Sequence, residues 1–201
     1  MTREHSQWKP HPWHGLSQGP DPPRVVTVFV EITPFDHVKY EIDKRSGFLR
    51  IDRPQYSSSL PPSVYGFIPR TFAGRRVASL MPGARRGDED PLDICVISSH
   101  AINKSEVLLS ARVVGGIPML DAETADDKII GVLVGDAAWN EVKELEHLPL
   151  AVVDQLVHYF STYKRMGRPE HTVQVGEPYG KSHAHAVILS SIDDYKEAFG
   201  E

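Results

Sequence analysis

Three aspartates share six positions in Asp88-Glu89-Asp90-Pro91-Leu92-Asp93, which runs straight into the apolar stretch Ile94-Cys95-Val96-Ile97. A fold that buries that stretch as a strand must also confine the acidic box at the strand's start. Like charges held so closely repel one another unless a cation sits among them. Oxygen ligands of this kind are what Mg²⁺ or Mn²⁺ selects. A second acidic cluster, Asp121, Glu123, Asp126 and Asp127, closes on Lys128 just ahead of the apolar run at Ile129. Two cations about 3.5–4 Å apart need several shared carboxylates, so the two clusters gain meaning together.

Simpler readings of the first box fit less well. A helix cap is disfavoured because a strand-like run follows it. A calcium loop of the helix–loop–helix type requires glycine at its sixth position and glutamate at its twelfth, where this chain has Asp93 and Ser99. A phosphatase that forms an aspartyl-phosphate carries its Asp-x-Asp after an apolar strand, whereas here the strand comes second.

The rest of the chain reads as mainly β with flanking helices, an α+β arrangement. Val25 to Ile32 is β-branched and strand-like. Val38 to Ile42 and Phe48 to Ile51 pair across Asp43-Lys44-Arg45-Ser46-Gly47, which has hairpin-turn chemistry. Further strands are expected at 94–98, 107–114, 129–134 and 172–175. Many short strands between Gly/Pro turns favour a closed or partly closed barrel. Apolar positions Leu150, Val153, Leu156, Val157 and Phe160 recur at helical spacing up to Tyr163, with Lys164 and Arg165 expected in the last turn. Residues 184–199 outline a second helix. Residues 73–87, with four arginines, read as a mobile connection. Residues 1–23 hold five of the 16 prolines and read as an N-terminal arm, leaving 24–201 as one domain.

Composition excludes several function classes. The net charge of -5 gives no global basic field for nucleic acid. No stretch approaches the roughly 18 apolar residues that span a bilayer. The N-terminus lacks the apolar core of a secretory signal, so a cytoplasmic enzyme without a membrane partner is expected. The single cysteine, Cys95, lies in an apolar run and reads as a buried, inert thiol. His183 and His185 point apart on a helix, and His11 and His14 lie in the arm without Cys or Glu companions, so zinc is not expected.

Basic and phenolic residues supply a complement to the carboxylates. Lys39 and Glu41 alternate along one strand face, Arg53 ends the third strand with a guanidinium suited to phosphate, and Tyr163-Lys164 ends the long helix. Each alone reads as a surface charge; convergence would make them a site. Tyr65 alone reads as a half-buried packing residue.

Taken in order, these segments resemble the soluble, metal-dependent inorganic pyrophosphatases of the barrel type, often called family I. The resemblance runs from about Glu31 to Lys164. Its most specific piece is the box at 88–93, which matches D-G-D-P-x-D with Glu89 in place of glycine. Val38-Lys39-Tyr40-Glu41, Ile51-Asp52-Arg53, Tyr65-Gly66-Phe67-Ile68-Pro69, Asp121 to Asp126-x-Lys128, and His158-Tyr159-Phe160 with Tyr163-Lys164 follow in family order.

The resemblance implies a five-stranded OB-like barrel with two main helices, Mg²⁺ (with Mn²⁺ as a substitute), and hydrolysis of pyrophosphate by direct in-line attack of a metal-activated water. It implies that Asp88, Asp93 and Asp126 hold activating metals and that Asp121 and Glu31, with Glu41 in the same carboxylate set, help hold metals arriving with substrate. Asp90 would be the general base. Lys39, Arg53, Lys128, Tyr163 and Lys164 would grip phosphate, and Tyr65 would line the site. A homo-oligomer is the family expectation.

Three departures stand out: the loop at 121–126 lacks the usual Glu-Ala-Gly, Pro61 replaces a frequent second tyrosine, and the Arg-rich insertion is long. The rival readings are an OB-type oligonucleotide-binding module, which would need a basic groove with stacking aromatics, and a non-enzymatic divalent-cation binder.

Overall fold

The computed structural model describes residues 9–56, 58–164 and 173–200. In chain order the strands are β1 (Val25–Ile32), β2 (Val38–Ile42), β3 (Leu49–Pro54), β4 (Val64–Phe67), β5 (Arg86–Gly87), β6 (Asp93–Ile97), β7 (Leu108–Ile117), β8 (Met119–Asp121), β9 (Thr124–Ala125), β10 (Lys128–Leu133), β11 (Val173–Val175) and β12 (Tyr179–Gly180). The α-helices are α1 (Arg75–Ser79), α2 (Leu150–Thr162) and α3 (Lys181–Phe199).

Strands β1, β4, β6, β10 and β7 form one sheet in that order, and β7 returns to pair with β1. The sheet closes into a five-stranded barrel, which removes its open edges. Side chains alternate along each strand, and both faces are apolar because both are covered. On β6, Ile94 and Val96 face a core shared with Val187, Ile188 and Ile192 of α3. Cys95 and Ile97 face the opposite way, into a core shared with Val153, Leu156 and Phe160 of α2. Burial pushes the Cys95 thiol up to about 12, in keeping with an inert residue.

The register of this barrel delivers charge to one end. Parallel pairing of β10 with β6 sets Lys128 beside Asp93, and Phe67 of β4 faces Asp93 from the other side. The polar residues that begin both strands therefore meet at the barrel rim.

Several expectations are corrected. Strand β4 was not anticipated, because Pro61 and Pro62 precede it and glycine interrupts it. Gly66 is needed there: a Cβ would lie 1.9 Å from the Phe29 carbonyl oxygen on the neighbouring strand. Residues 73–87 are not a mobile connection. They contain α1 and β5, with Val77 buried in the barrel core. The segment read as an arm contributes a core residue, since Trp13 is buried with Phe29, Phe67 and Tyr195 and donates its indole N–H to the Thr71 carbonyl at 2.8 Å. The third strand starts at Leu49 rather than Phe48, which is exposed beyond the turn at Gly47 (φ 73°). Lys164 lies past the end of α2 rather than in its last turn. Arg165 and Thr172 lie outside the described residues.

The loop at 121–124 is a tight β8–β9 hairpin in which both central residues, Ala122 (φ 47°) and Glu123 (φ 69°), are left-handed. This conformation suits Asn-Gly and penalises residues with a Cβ. Glu123→Gly is expected to raise the unfolding free energy by about 0.5–1 kcal/mol. Urea denaturation checks it; an unchanged or lower midpoint contradicts it.

Candidate active site

One cleft of about 620 Å³ opens at the barrel rim. Twelve of the thirteen site residues expected from sequence line it: Glu31, Lys39, Glu41, Tyr65, Asp88, Asp90, Asp93, Asp121, Asp126, Lys128, Tyr163 and Lys164. They come from β1, β2, β4, the start of β6, the β8–β9 hairpin, the start of β10 and the end of α2. Their convergence is a product of barrel closure.

At the floor, Asp88, Asp93 and Asp126 each offer a carboxylate oxygen within 4.8 Å of the other two. Burial, then the neighbouring Asp126 and Asp93 charges, lift the Asp88 carboxyl well above its ordinary range. Burial likewise raises Asp93, against the pull of Lys128. Burial would raise Asp126 too, but Lys128 and Lys164 together hold it below the usual range. Such a cluster is electrostatically short of positive charge.

The structure partly answers that shortage with Lys128. Its ammonium is buried, donates to Asp93 at 2.5 Å and also bonds Asp126. Burial opposes that charge, yet Asp126 and Asp93 keep the Lys128 pKa well above the lysine value. Lys164 bonds Asp121 at 2.7 Å and approaches Asp126 at 3.6 Å.

Glu31 is buried, and its carboxylate accepts the Ile42 N–H at 2.7 Å. Burial first, and the charge of Asp93 second, push its pKa up to about 8. The Tyr65 ring lies 5.8 Å beneath the Lys128 ammonium, and Tyr163 stacks on Tyr159 at 5.2 Å. Burial raises both cleft phenols, so they stand as neutral donors.

Arg53 is the exception. Its guanidinium bonds the neighbouring Asp52, and it does not line the cleft. The cause is local: Lys39 pairs with Arg53 but Tyr40 pairs with Ile51, so Asp52 is the extra residue of a β-bulge. The bulge places Asp52 where Lys39 donates to it at 2.9 Å and Arg53 also binds it.

Sequence reasoning missed four further charged lining residues, Asp43, Lys44, Arg45 and Arg50, all on the β2–β3 hairpin. Lys44 is the most consequential, because its ammonium pairs with Asp90. The available signal was strand alternation: Lys39 and Glu41 share a face, and the turn that follows carries its charges over the same side. The described residues include no helix long and apolar enough to cross a membrane.

A closed barrel, a partly buried carboxylate triad and a lysine-walled cleft fit the class of phosphoanhydride hydrolases. Comparison with known proteins narrows the class. Residues 28–196 match the family model for inorganic pyrophosphatase. The chain is 40% identical over 203 residues to the inorganic pyrophosphatase of Chlamydia caviae, covering 94% of this chain and 92% of that protein. It is 36% identical over 187 residues to soluble inorganic pyrophosphatase 1 of Arabidopsis thaliana, covering 93% and 81%. The crystal structure of inorganic pyrophosphatase from Thermus thermophilus superposes with a TM-score of 0.79 at 29% identity, covering 92% of this chain and 99% of that one. The chain belongs to the inorganic pyrophosphatase family, and it hydrolyses pyrophosphate to two orthophosphates.

Proposed function

We propose that the cleft performs this hydrolysis with Asp88, Asp93 and Asp126 holding Mg²⁺ (Mn²⁺ substituting), Asp121, Glu31 and Glu41 assisting with cations that accompany substrate, and Asp90 as general base. The observation that carries the reading is the triad itself: three carboxylate oxygens within 4.8 Å at the floor of a cleft walled by Lys39, Lys128 and Lys164. The donor set fits a hard divalent cation, being all oxygen and short of positive charge. Bound there, the cation supplies Lewis acidity that lowers the pKa of a water from about 15.7 to about 7.

Everything else is done by the chain's own groups. Asp90 accepts a proton from the attacking water, and the water oxygen forms the new bond to phosphorus. The bridging oxygen–phosphorus bond breaks in line, with its electron pair leaving on the second orthophosphate. Lys39, Lys128, Lys164 and the Tyr163 hydroxyl face the substrate oxygens and offset the charge that would repel the nucleophile. No covalent enzyme intermediate is required. Residues 24–201 act as one catalytic domain in the cytoplasm, in an assembly of identical subunits of the kind expected from the family.

Orthophosphate release from pyrophosphate, with and without Mg²⁺, tests the reading. Mg²⁺-dependent release abolished by chelator supports it; release indifferent to chelator overturns the metal role. The oligonucleotide-binding alternative is not favoured: eight carboxylates against six cationic side chains line the cleft, the wrong balance for a phosphodiester backbone. Lys39→Ala is expected to raise KM for pyrophosphate by about 10–100-fold, the worth of a charged hydrogen bond, with kcat less affected. Unchanged kinetics at limiting substrate would remove Lys39 from substrate binding.

A further inference from the structure

We infer that Asp194 of α3, which does not line the cleft, is a positioning residue for the carboxylate loop at 88–93. The inference rests on the reading of that loop as metal-holding. Asp194 is only 4% exposed, yet nothing in the catalytic account uses it. Its carboxylate gathers the start of α1: it accepts from the backbone N–H groups of Gly74 at 3.1 Å, Arg76 at 3.0 Å and Val77 at 3.1 Å, and from the Arg76 guanidinium at 2.9 Å. Helix starts leave such N–H groups without partners, and an ionised carboxylate is the strongest acceptor for them. Gly74 permits the approach, since a Cβ there would stand 2.9 Å from the Asp194 carboxylate. The same helix adds a second tie, with the Phe72 N–H donating to the Ser191 carbonyl at 3.0 Å.

The segment that α3 holds is the one against which the metal loop is laid. Ala73 donates its N–H to the Asp90 carbonyl at 2.8 Å and accepts the Glu89 N–H at 3.1 Å. Leu92 donates its N–H to the Thr71 hydroxyl at 2.8 Å. Gly87 lies so close that a Cβ would sit 1.9 Å from the Ala73 oxygen. Residues 71–74 are thus clasped by α3 on one side and by the backbone of 87–92 on the other.

The loop needs this support because Glu89 is left-handed, with φ 63°. A non-glycine residue is disfavoured there and is kept only where its surroundings over-determine it. Asp88 and Asp90 flank the strained residue, so slack at Ala73 moves both carboxylates. Partners behind the ligands of a metal site typically cost 10–100-fold in affinity, on the order of one to two decades, when lost.

The test is Asp194→Asn, with Mn²⁺ binding followed by the EPR signal of the free ion, alongside the Mg²⁺ dependence of pyrophosphate hydrolysis. Binding weaker by about ten-fold, with KM for pyrophosphate little changed at saturating Mg²⁺, is expected. Adding Glu89→Gly removes the strain and should restore most of that affinity, which a role confined to stability would not predict. Parent-like Mn²⁺ affinity with only a lowered Tm overturns the inference.

Should Asp194→Asn fail to fold, Arg76→Met loses only the half-exposed arm of the clasp and should weaken Mn²⁺ by about two- to three-fold. Parent-like affinity in that variant overturns the inference as well. If the parent itself binds no Mn²⁺, the metal-holding reading of the loop falls and the inference with it. Binding by the parent that the variants leave unchanged removes Asp194 alone.

Discussion

Asparagine at position 90 lowers turnover by about 10²–10⁴-fold while the protein remains folded. The size of the loss is that of a missing general base, and the geometry explains why stability is spared. The Asp90 side chain is 47% exposed in the cleft, and it forms an ion pair with the similarly exposed Lys44. What ties residue 90 to the fold is backbone: its carbonyl accepts from Ala73, and its N–H donates to Asp88 at 3.0 Å. Asparagine preserves these backbone ties and removes the proton acceptor together with the exposed ion pair to Lys44. Circular dichroism and Tm should match the parent, and single-turnover hydrolysis at saturating Mg²⁺ should show the loss. Turnover within about ten-fold of the parent would strip Asp90 of the role.

The second large effect falls on stability. Lys128→Met removes the buried ammonium that sits between Asp93 and Asp126, and it should destabilise the metal-free protein by about 3–5 kcal/mol, the cost of stranding buried charge. The methionine fills a similar volume, so the loss reports charge rather than a cavity. Millimolar Mg²⁺ should recover a large part of it, because a cation among the three aspartates supplies the positive charge that Lys128 did. Urea unfolding of parent and variant, each with and without Mg²⁺, measures this directly. An equal Mg²⁺ response in the two proteins would mean that Lys128 and the divalent cation do not share the triad.

Much of this was legible in the chain, for identifiable reasons. The β-branched run at 25–32 and the apolar period through Val153, Leu156 and Phe160 declare themselves because burial on a covered face demands them, whereas Leu150, read as part of that period, is exposed. The acidic box declares chemistry because four carboxylates in six positions have no structural excuse. What stayed hidden depends on contacts distant in sequence. Residues 73–87 look like a loop until Asp194, 120 positions from Gly74, satisfies the start of α1. Strand β4 is short and follows two prolines, yet two neighbouring strands define it. Arg53 has the right chemistry for phosphate, but a one-residue bulge gives it Asp52 instead. Strand alternation hints at the side on which Lys44 lies, but its pairing with Asp90 depends on the β2–β3 hairpin folding over the rim.

Fold and chemistry meet in the triad. The same parallel register that aligns Lys128 with Asp93 sets Asp126 two residues upstream, and the clasped loop brings Asp88 to both. The most direct test is anomalous diffraction from crystals of the active protein grown with Mn²⁺. Manganese peaks bracketed by the carboxylates of Asp88, Asp93 and Asp126 are the predicted result. Peaks elsewhere, or none at these three side chains in protein that still cleaves pyrophosphate, would contradict it.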